Sequence, residues 1–254
     1  MGTYICPMLV ASVVLVAALW MMLVEARRPG RSFPKVAHWY GRALALNGIQ
    51  ALSIFTVGRV ADGFFQARGA GLLGGLGPIS GALVGYLIHS FVYYWWHRWR
   101  HEVPFLWRWV HQLHHSPQRL EIVTSFYKHP IEIAVNGVIS SAVLYGALGL
   151  SPEAGTGAFL LSGLAELLYH WNVKTPRWLG YIIQRPESHC VHHEEGLHAY
   201  NYGDLPLFDW MFGTLRNPPE WQKTCGLGAE NETRLAEMLT GVDVTQKPAP
   251  EPKP

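Results

Sequence analysis

Eight of the 13 histidines fall into three short clusters. They read His97-Arg-Trp-Arg-His101, His111-Gln-Leu-His114-His115 and His189-Cys-Val-His192-His193. Spacings of three and four residues put side chains on one helix face, about one turn apart. Imidazoles so placed converge on one metal ion or on neighbouring ions, and neutral imidazole suits iron, zinc and copper. A single histidine pair one turn apart is equally well read as an interfacial or pH-sensitive surface. Three clusters, two of them with the same H-x-x-H-H pattern, favour metal. Cysteine does not compete for the role. Cys6, Cys190 and Cys225 are too few, and too far apart in sequence, for a disulfide framework or a cysteine-based zinc site.

The elements that must carry these clusters are apolar. The 254 residues are 49% hydrophobic and only 15% charged, with a net charge of +2. That composition excludes disorder, which needs low hydrophobicity and high charge, and offers no basic field for nucleic acid. The charge is missing from long runs: residues 7–24, 43–58, 69–96 and 133–152, with 154–173 broken only by Glu166. A helix rises about 1.5 Å per residue, so roughly 20 apolar residues cross a bilayer core. The first run is inverted for a cleaved signal, because Arg27, Arg28, Arg31 and Lys35 follow it and no Lys or Arg precedes it. Threading the N-terminus outside leaves only Arg59 and Arg68 of the 20 Lys and Arg on the outer side. All three histidine clusters then fall on the cytosolic face. Phe91, Tyr93, Tyr94, Trp95, Trp96 and Trp99 form an aromatic belt at the inner end of the third run. The glycines between 69 and 77 lack the preceding strand and P-loop Lys of a nucleotide site. Residues 247–254 alternate Pro with Lys, Ala and Glu and read as a disordered tail.

The order H-x-x-x-H, H-x-x-H-H, H-x-x-H-H resembles the fatty acid hydroxylase and sterol desaturase superfamily. So do Phe126 to Glu132 with His129-Pro130, Tyr169-His170-Trp171-Asn172, and the ending from Asn201-Tyr202-Gly203-Asp204 through Trp210-Met211-Phe212-Gly213-Thr214. The family's W-D pair stands here as Asp209-Trp210. The resemblance runs from about residue 80 to 216. It implies four membrane helices under a cytosolic helical cap holding a His-rich dinuclear metal site; together with the apolar runs, the expectation is an all-α integral membrane bundle of four to five segments. The expected division is 1–70 (membrane segments and basic loop), 71–216 (catalytic domain) and 217–254 (cytosolic C-terminal tail).

The resemblance implies that His97, His101, His111, His114, His115, His189, His192 and His193 bind metal, together with His170 from the helix before the third box. The other reading of His170 is a hydrogen-bonded histidine at the membrane boundary. His129, before a proline, is a ligand candidate or a helix cap. His198 is a ligand candidate or a loop histidine. Glu166, one turn before His170, is a bridging carboxylate, a partner orienting an imidazole, or part of a polar edge. His89 and Tyr93 lie down the helix from His97 and are candidates for the substrate pocket, or core residues bonded to a neighbouring helix. Arg98, Arg100 and Arg108 read as headgroup anchors rather than a docking patch for an electron donor.

The expected activity is O2-dependent hydroxylation or desaturation of a fatty acyl or sterol-like C–H bond at a di-iron centre (Fe2+/Fe3+, for which zinc substitutes in purified samples). No haem-attachment, dinucleotide or iron–sulfur motif is visible, so a separate donor of the cytochrome b5, ferredoxin or reductase kind is implied. The alternatives are a carotenoid or alkane hydroxylase of the same histidine-box type, and a non-catalytic metal-binding membrane protein. A transporter would carry its ligands near the bilayer midplane. A bacterial inner membrane is favoured over the endoplasmic reticulum, since no retrieval signal ends the chain.

Overall fold

The computed structural model describes residues 7–221 and 224–246, with side chains from residue 12 onward. Cys6 and the expected tail 247–254 lie outside the described residues. Five long helices dominate: α1 (Pro7–Arg27), α2 (Trp39–Gln66), α3 (Pro78–Glu102), α6 (Pro130–Ser141) and α7 (Pro152–His170). Between α3 and α6 come α4 (Pro104–Leu106), a π-helical turn (Trp107–His111) and α5 (Gln112–His115). A second π-helical turn, Ala142–Ala147, extends α6. After α7 come α8 (Pro186–His192), α9 (Pro206–Met211), α10 (Ala229–Glu232) and α11 (Leu235–Leu239). Among the described residues the fold is all-helical, with one isolated bridge between Glu194 and Cys225.

Besides α1, whose described residues begin at Pro7, six helices, α3, α4, α6, α7, α8 and α9, open on proline. Proline suits that position because its missing N–H has no partner in the first turn anyway. Ser151 accepts from the Ala154 N–H at 3.2 Å and caps α7.

α3 packs on α7, and α2 on α6. The α3–α7 approach is close because Gly81 and Gly85 face it. A Cβ on Gly81 would sit 2.7 Å from Ala154 Cβ, and one on Gly85 would sit 2.7 Å from Leu150. Two helices are long and apolar enough to cross a membrane among the described residues, α2 and the segment Pro130–Ala147. The most apolar window of α2 is only 17% buried. A soluble protein's core helix would bury far more. Leu52, Val60 and Ile79 are each more than 60% exposed, so the apolar surface faces outward, as lipid requires.

A second core lies beneath the polar end of the bundle. Trp39, Leu113, Val123, Tyr127, Leu227 and Met238 pack together there. Residues 224–246 belong to it: Gln112 donates to the Val242 carbonyl at 2.6 Å and accepts from the Val244 N–H at 3.3 Å.

Candidate metal centre

The nine imidazoles of the boxes and of His170 gather in two groups. His97, His101, His111, His115 and His192 form one; His114, His170, His189 and His193 form the other. In each group the ligand-capable nitrogens lie within 4.8 Å of one another. The division follows from helix geometry. Residues four apart differ by about 40° around the helix axis, whereas i+3 and i+4 diverge by about 100°. Each H-x-x-H-H box therefore sends its first and last histidine to one group and its middle one to the other. Box two gives His111 and His115 to the first group and His114 to the second. Box three gives His189 and His193 to the second and His192 to the first. The π-helical turn ending at His111 sets where box two begins to project, a common use of such turns.

Most of these rings are oriented from behind. His97 Nδ1 lies 2.8 Å from the Tyr202 carbonyl, His192 Nδ1 2.7 Å from Tyr200 and His170 Nδ1 2.9 Å from Glu166, in each case the backbone oxygen. His111 Nδ1 lies 3.1 Å from the Glu132 carboxylate. A ring that donates Nδ1–H to oxygen presents a bare Nε2 lone pair at its other end, the arrangement metal-binding histidines use. The Nε2 atoms then meet one another: His97 and His111 at 3.0 Å, His111 and His115 at 3.2 Å, His189 and His193 at 3.0 Å, His170 and His189 at 3.2 Å. Two nitrogens about 2.1 Å from one ion at right angles lie about 3.0 Å apart. The buried Nε2 atoms of His101 and His192 have no hydrogen-bond partner. Lone pairs crowded in this way, with two of them orphaned, fit a pair of cations.

Electrostatics agree. Burial, reinforced by neighbouring imidazoles, holds His111, His114, His115, His189 and His193 well below the ordinary histidine value. His192 is lowered to about 3, again chiefly by burial. The rings are neutral at pH 7, the state that binds metal.

Glu132 was legible only as part of a motif. It is fully buried, pairs with Arg100 and holds the back of His111. Arg100 is thus not a headgroup anchor. It is 4% exposed, because the buried carboxylate and the face of Trp96 take its charge. Arg98 does stay at the surface, beside Glu102 at 2.6 Å.

The ending after box three folds into a clasp. Asp209 accepts from the N–H groups of Tyr202 and Gly203 at 2.8 and 2.9 Å and from the Thr214 hydroxyl at 2.7 Å. Asn201 donates to the Ser188 carbonyl at 2.7 Å. These bonds fix the Tyr202 carbonyl that faces His97.

The remaining candidates sit outside both groups. His129 accepts from the Ile131 N–H at 3.1 Å, capping α6, and its Nε2 lies 3.2 Å from the Leu239 carbonyl. His198 Nδ1 lies 3.1 Å from His115 Nδ1, on a residue with φ of 43°. The Glu166 carboxylate pairs with Lys128, and it is its backbone that faces His170. His89 Nε2 and the Tyr93 hydroxyl both meet Ser140 Oγ, at 2.9 and 2.8 Å, and the two rings stack 4.2 Å apart. Tyr93 also donates to the Asn136 carbonyl at 2.7 Å. His89 Nδ1 is buried without a hydrogen-bond partner. Cys190 turns away from both groups, and its Sγ lies 3.1 Å from that of Cys225. Two of the three cysteines, 35 positions apart in sequence, are thus neighbours in the fold.

Comparison with known proteins gives the family. The family model described as fatty acid hydroxylase matches residues 82–214, just over half of the chain. An ornithine lipid hydroxylase of Rhizobium tropici is 32% identical over 146 residues, covering 56% of this chain and 44% of the relative. An alkylglycerol monooxygenase of Danio rerio is 33% identical over 131 residues, covering 48% of this chain and 28% of the relative. A very-long-chain aldehyde decarbonylase of Oryza sativa subsp. indica is 26% identical over 140 residues, covering 52% of this chain and 53% of the relative. This chain thus spans about half, or less, of the curated relatives it matches. No solved structure matches. The chain belongs to the fatty acid hydroxylase family.

Proposed function

We propose that this member of the fatty acid hydroxylase family is a membrane-bound, O2-dependent oxygenase that hydroxylates a C–H bond of a lipid. The observation that carries the reading is the pair of neutral histidine groups whose Nε2 atoms converge while oxygen acceptors hold the opposite ring nitrogens. His97, His101, His111, His115 and His192 would hold one iron, and His114, His170, His189 and His193 the other. When bound, such a pair of ions supplies the oxidation of an unactivated C–H bond by O2 with electrons from a separate donor.

The protein's part is positioning and exclusion. Tyr202, Tyr200 and Glu166 lend backbone oxygens, and Glu132 a carboxylate, that keep each Nε2 lone pair pointed inward. The apolar helices supply a dry environment for an acyl or sterol-like chain. His89 lies eight residues before His97, about 12 Å down α3. With Tyr93 it would line the pocket at that depth. His129 is assigned to capping, and His198 and Glu166 to support of His115 and His170. The relatives named as hydroxylase and monooxygenase favour oxygen insertion over desaturation, and lipids as the substrate class.

The protein would have four to five membrane segments with a cytosolic cap and C-terminus, sit in a bacterial inner membrane, and divide into 1–70, 71–216 and 217–254. The test is metal analysis after anaerobic ferrous loading and desalting, with lipid mass spectrometry of cells with and without the protein. About two irons per chain and a lipid gaining one oxygen are expected. Less than one iron per chain refutes the dinuclear centre, and an unchanged lipid profile refutes the activity.

A further inference from the structure

We propose that Cys190 and Cys225 form a reversible disulfide, a second redox site whose oxidant is a hydroperoxide. The two Sγ atoms lie 3.1 Å apart, and Cys225 Sγ is 3.7 Å from the Cys190 carbonyl. Closing a disulfide asks the sulfurs to approach by about 1 Å more. Backbone bonds hold the two segments side by side just past the third box. Cys225 and Glu194 form an antiparallel bridge, the Gly226 N–H donates to the His193 carbonyl at 3.0 Å, and the Glu195 N–H donates to Thr224 at 3.3 Å. Both thiols are buried, beside Leu120, Phe33 and Trp221. Arg31, from the loop after α1, donates to Cys225 Sγ at 3.0 Å.

The pair has no place in the metal chemistry proposed above and does not depend on it. Cys190 lies within the family-matched residues 82–214, whereas Cys225 and Arg31 lie outside them, so the pair ties the matched region to the C-terminal segment. Cys190 sits between His189 and His192 on the box-three helix. A bond from it to Cys225 staples that helix to the C-terminal segment and closes a loop across 35 positions.

The reaction balances with one hydroperoxide. Both sulfurs are oxidised and join, the peroxide O–O bond takes up the two electrons, and the two thiol protons leave with the oxygens as an alcohol and water.

The test uses the full chain in detergent, reduced with dithiothreitol and desalted. It is treated with tert-butyl hydroperoxide, then denatured in N-ethylmaleimide and mapped as unreduced peptides. The expected result is a Cys190–Cys225 linked peptide pair, loss of most maleimide from those two residues with Cys6 still labelled, and full labelling again after dithiothreitol. No variant has to fold for this readout. Retained label on both residues, pairing with Cys6 instead, or oxidation to sulfinic or sulfonic acid without a link overturns the proposal.

Discussion

Glu132 offers a test that separates holding the fold from holding a ligand. Its carboxylate is fully buried and serves two partners, the Arg100 guanidinium, 5% exposed, and the His111 ring. Glu132→Ala would strand the arginine charge in a dry site. Removing one partner of a buried pair costs about 3–5 kcal/mol. For a chain of this size each kcal/mol shifts Tm by roughly 2–4 °C, so the variant should melt about 6–20 °C lower. The double variant Glu132→Leu with Arg100→Met removes both charges and keeps the volume, and such replacements are often neutral or stabilising. Its Tm should return close to that of the parent. His111 would still lack its acceptor, and loss of such a partner lowers metal affinity about 10–100-fold. The assay is paired: thermal unfolding in detergent, and iron retention against a chelator titration. A double variant that recovers both stability and iron affinity would refute the orienting role of Glu132. A single variant as stable as the parent would refute the buried-pair reasoning.

His114→Ala and His192→Ala touch different groups, and each should abolish lipid oxidation; full product formation in either contradicts that residue's assignment. His129→Ala should lower stability by about 1 kcal/mol, the worth of a helix cap, and leave iron content unchanged; loss of iron would return His129 to the ligand set. The metal-free protein should lose stability on acidification. Its buried histidines are depressed, His192 to about 3, below their unfolded value near 6.5, so between those values the unfolded chain binds more protons and stability falls as pH falls. Tm measured from pH 8 to pH 5 should be level at the upper end and drop below about 6.5; a level curve throughout would show that the rings are not buried neutral.

The candidate ligands were legible because metal chemistry leaves a local mark. Spacings of three and four are a property of one helix, and so is the run of apolar residues on either side. The partition into five and four was not legible. The turn geometry predicts that His114 parts from His111 and His115, but only the approach of α8 to α5 decides which group His192 joins. Glu132 and Arg100 show the same limit. They are 32 residues apart, and an arginine beside an aromatic belt reads locally as an anchor. The Asp209-Trp210 inversion read as a departure from the family ending. In the fold, the aspartate is the residue that the clasp needs, since it gathers three donors. His129 was ambiguous because X-Pro at a helix start and a ligand histidine look alike in sequence.

α3 explains why the site sits where it does. Ile79, Leu83, Leu87 and Phe91 are all at least 40% exposed and recur every four residues, a stripe suited to lipid. Gly81, Gly85 and His89 lie on the buried side, and the two glycines let α7 come close. That approach is what brings His170, at the end of α7, near the layer where His97 and His101 leave the end of α3. Past Trp96 the helix turns from apolar to polar partners: Trp96 donates to Asn136 at 2.8 Å, and Arg100 reaches Glu132. A bare charge is costly among lipid chains, and a metal-binding histidine needs oxygen acceptors behind it. Both demands are met only at this boundary, where apolar helix surface ends and carbonyls of the cap begin.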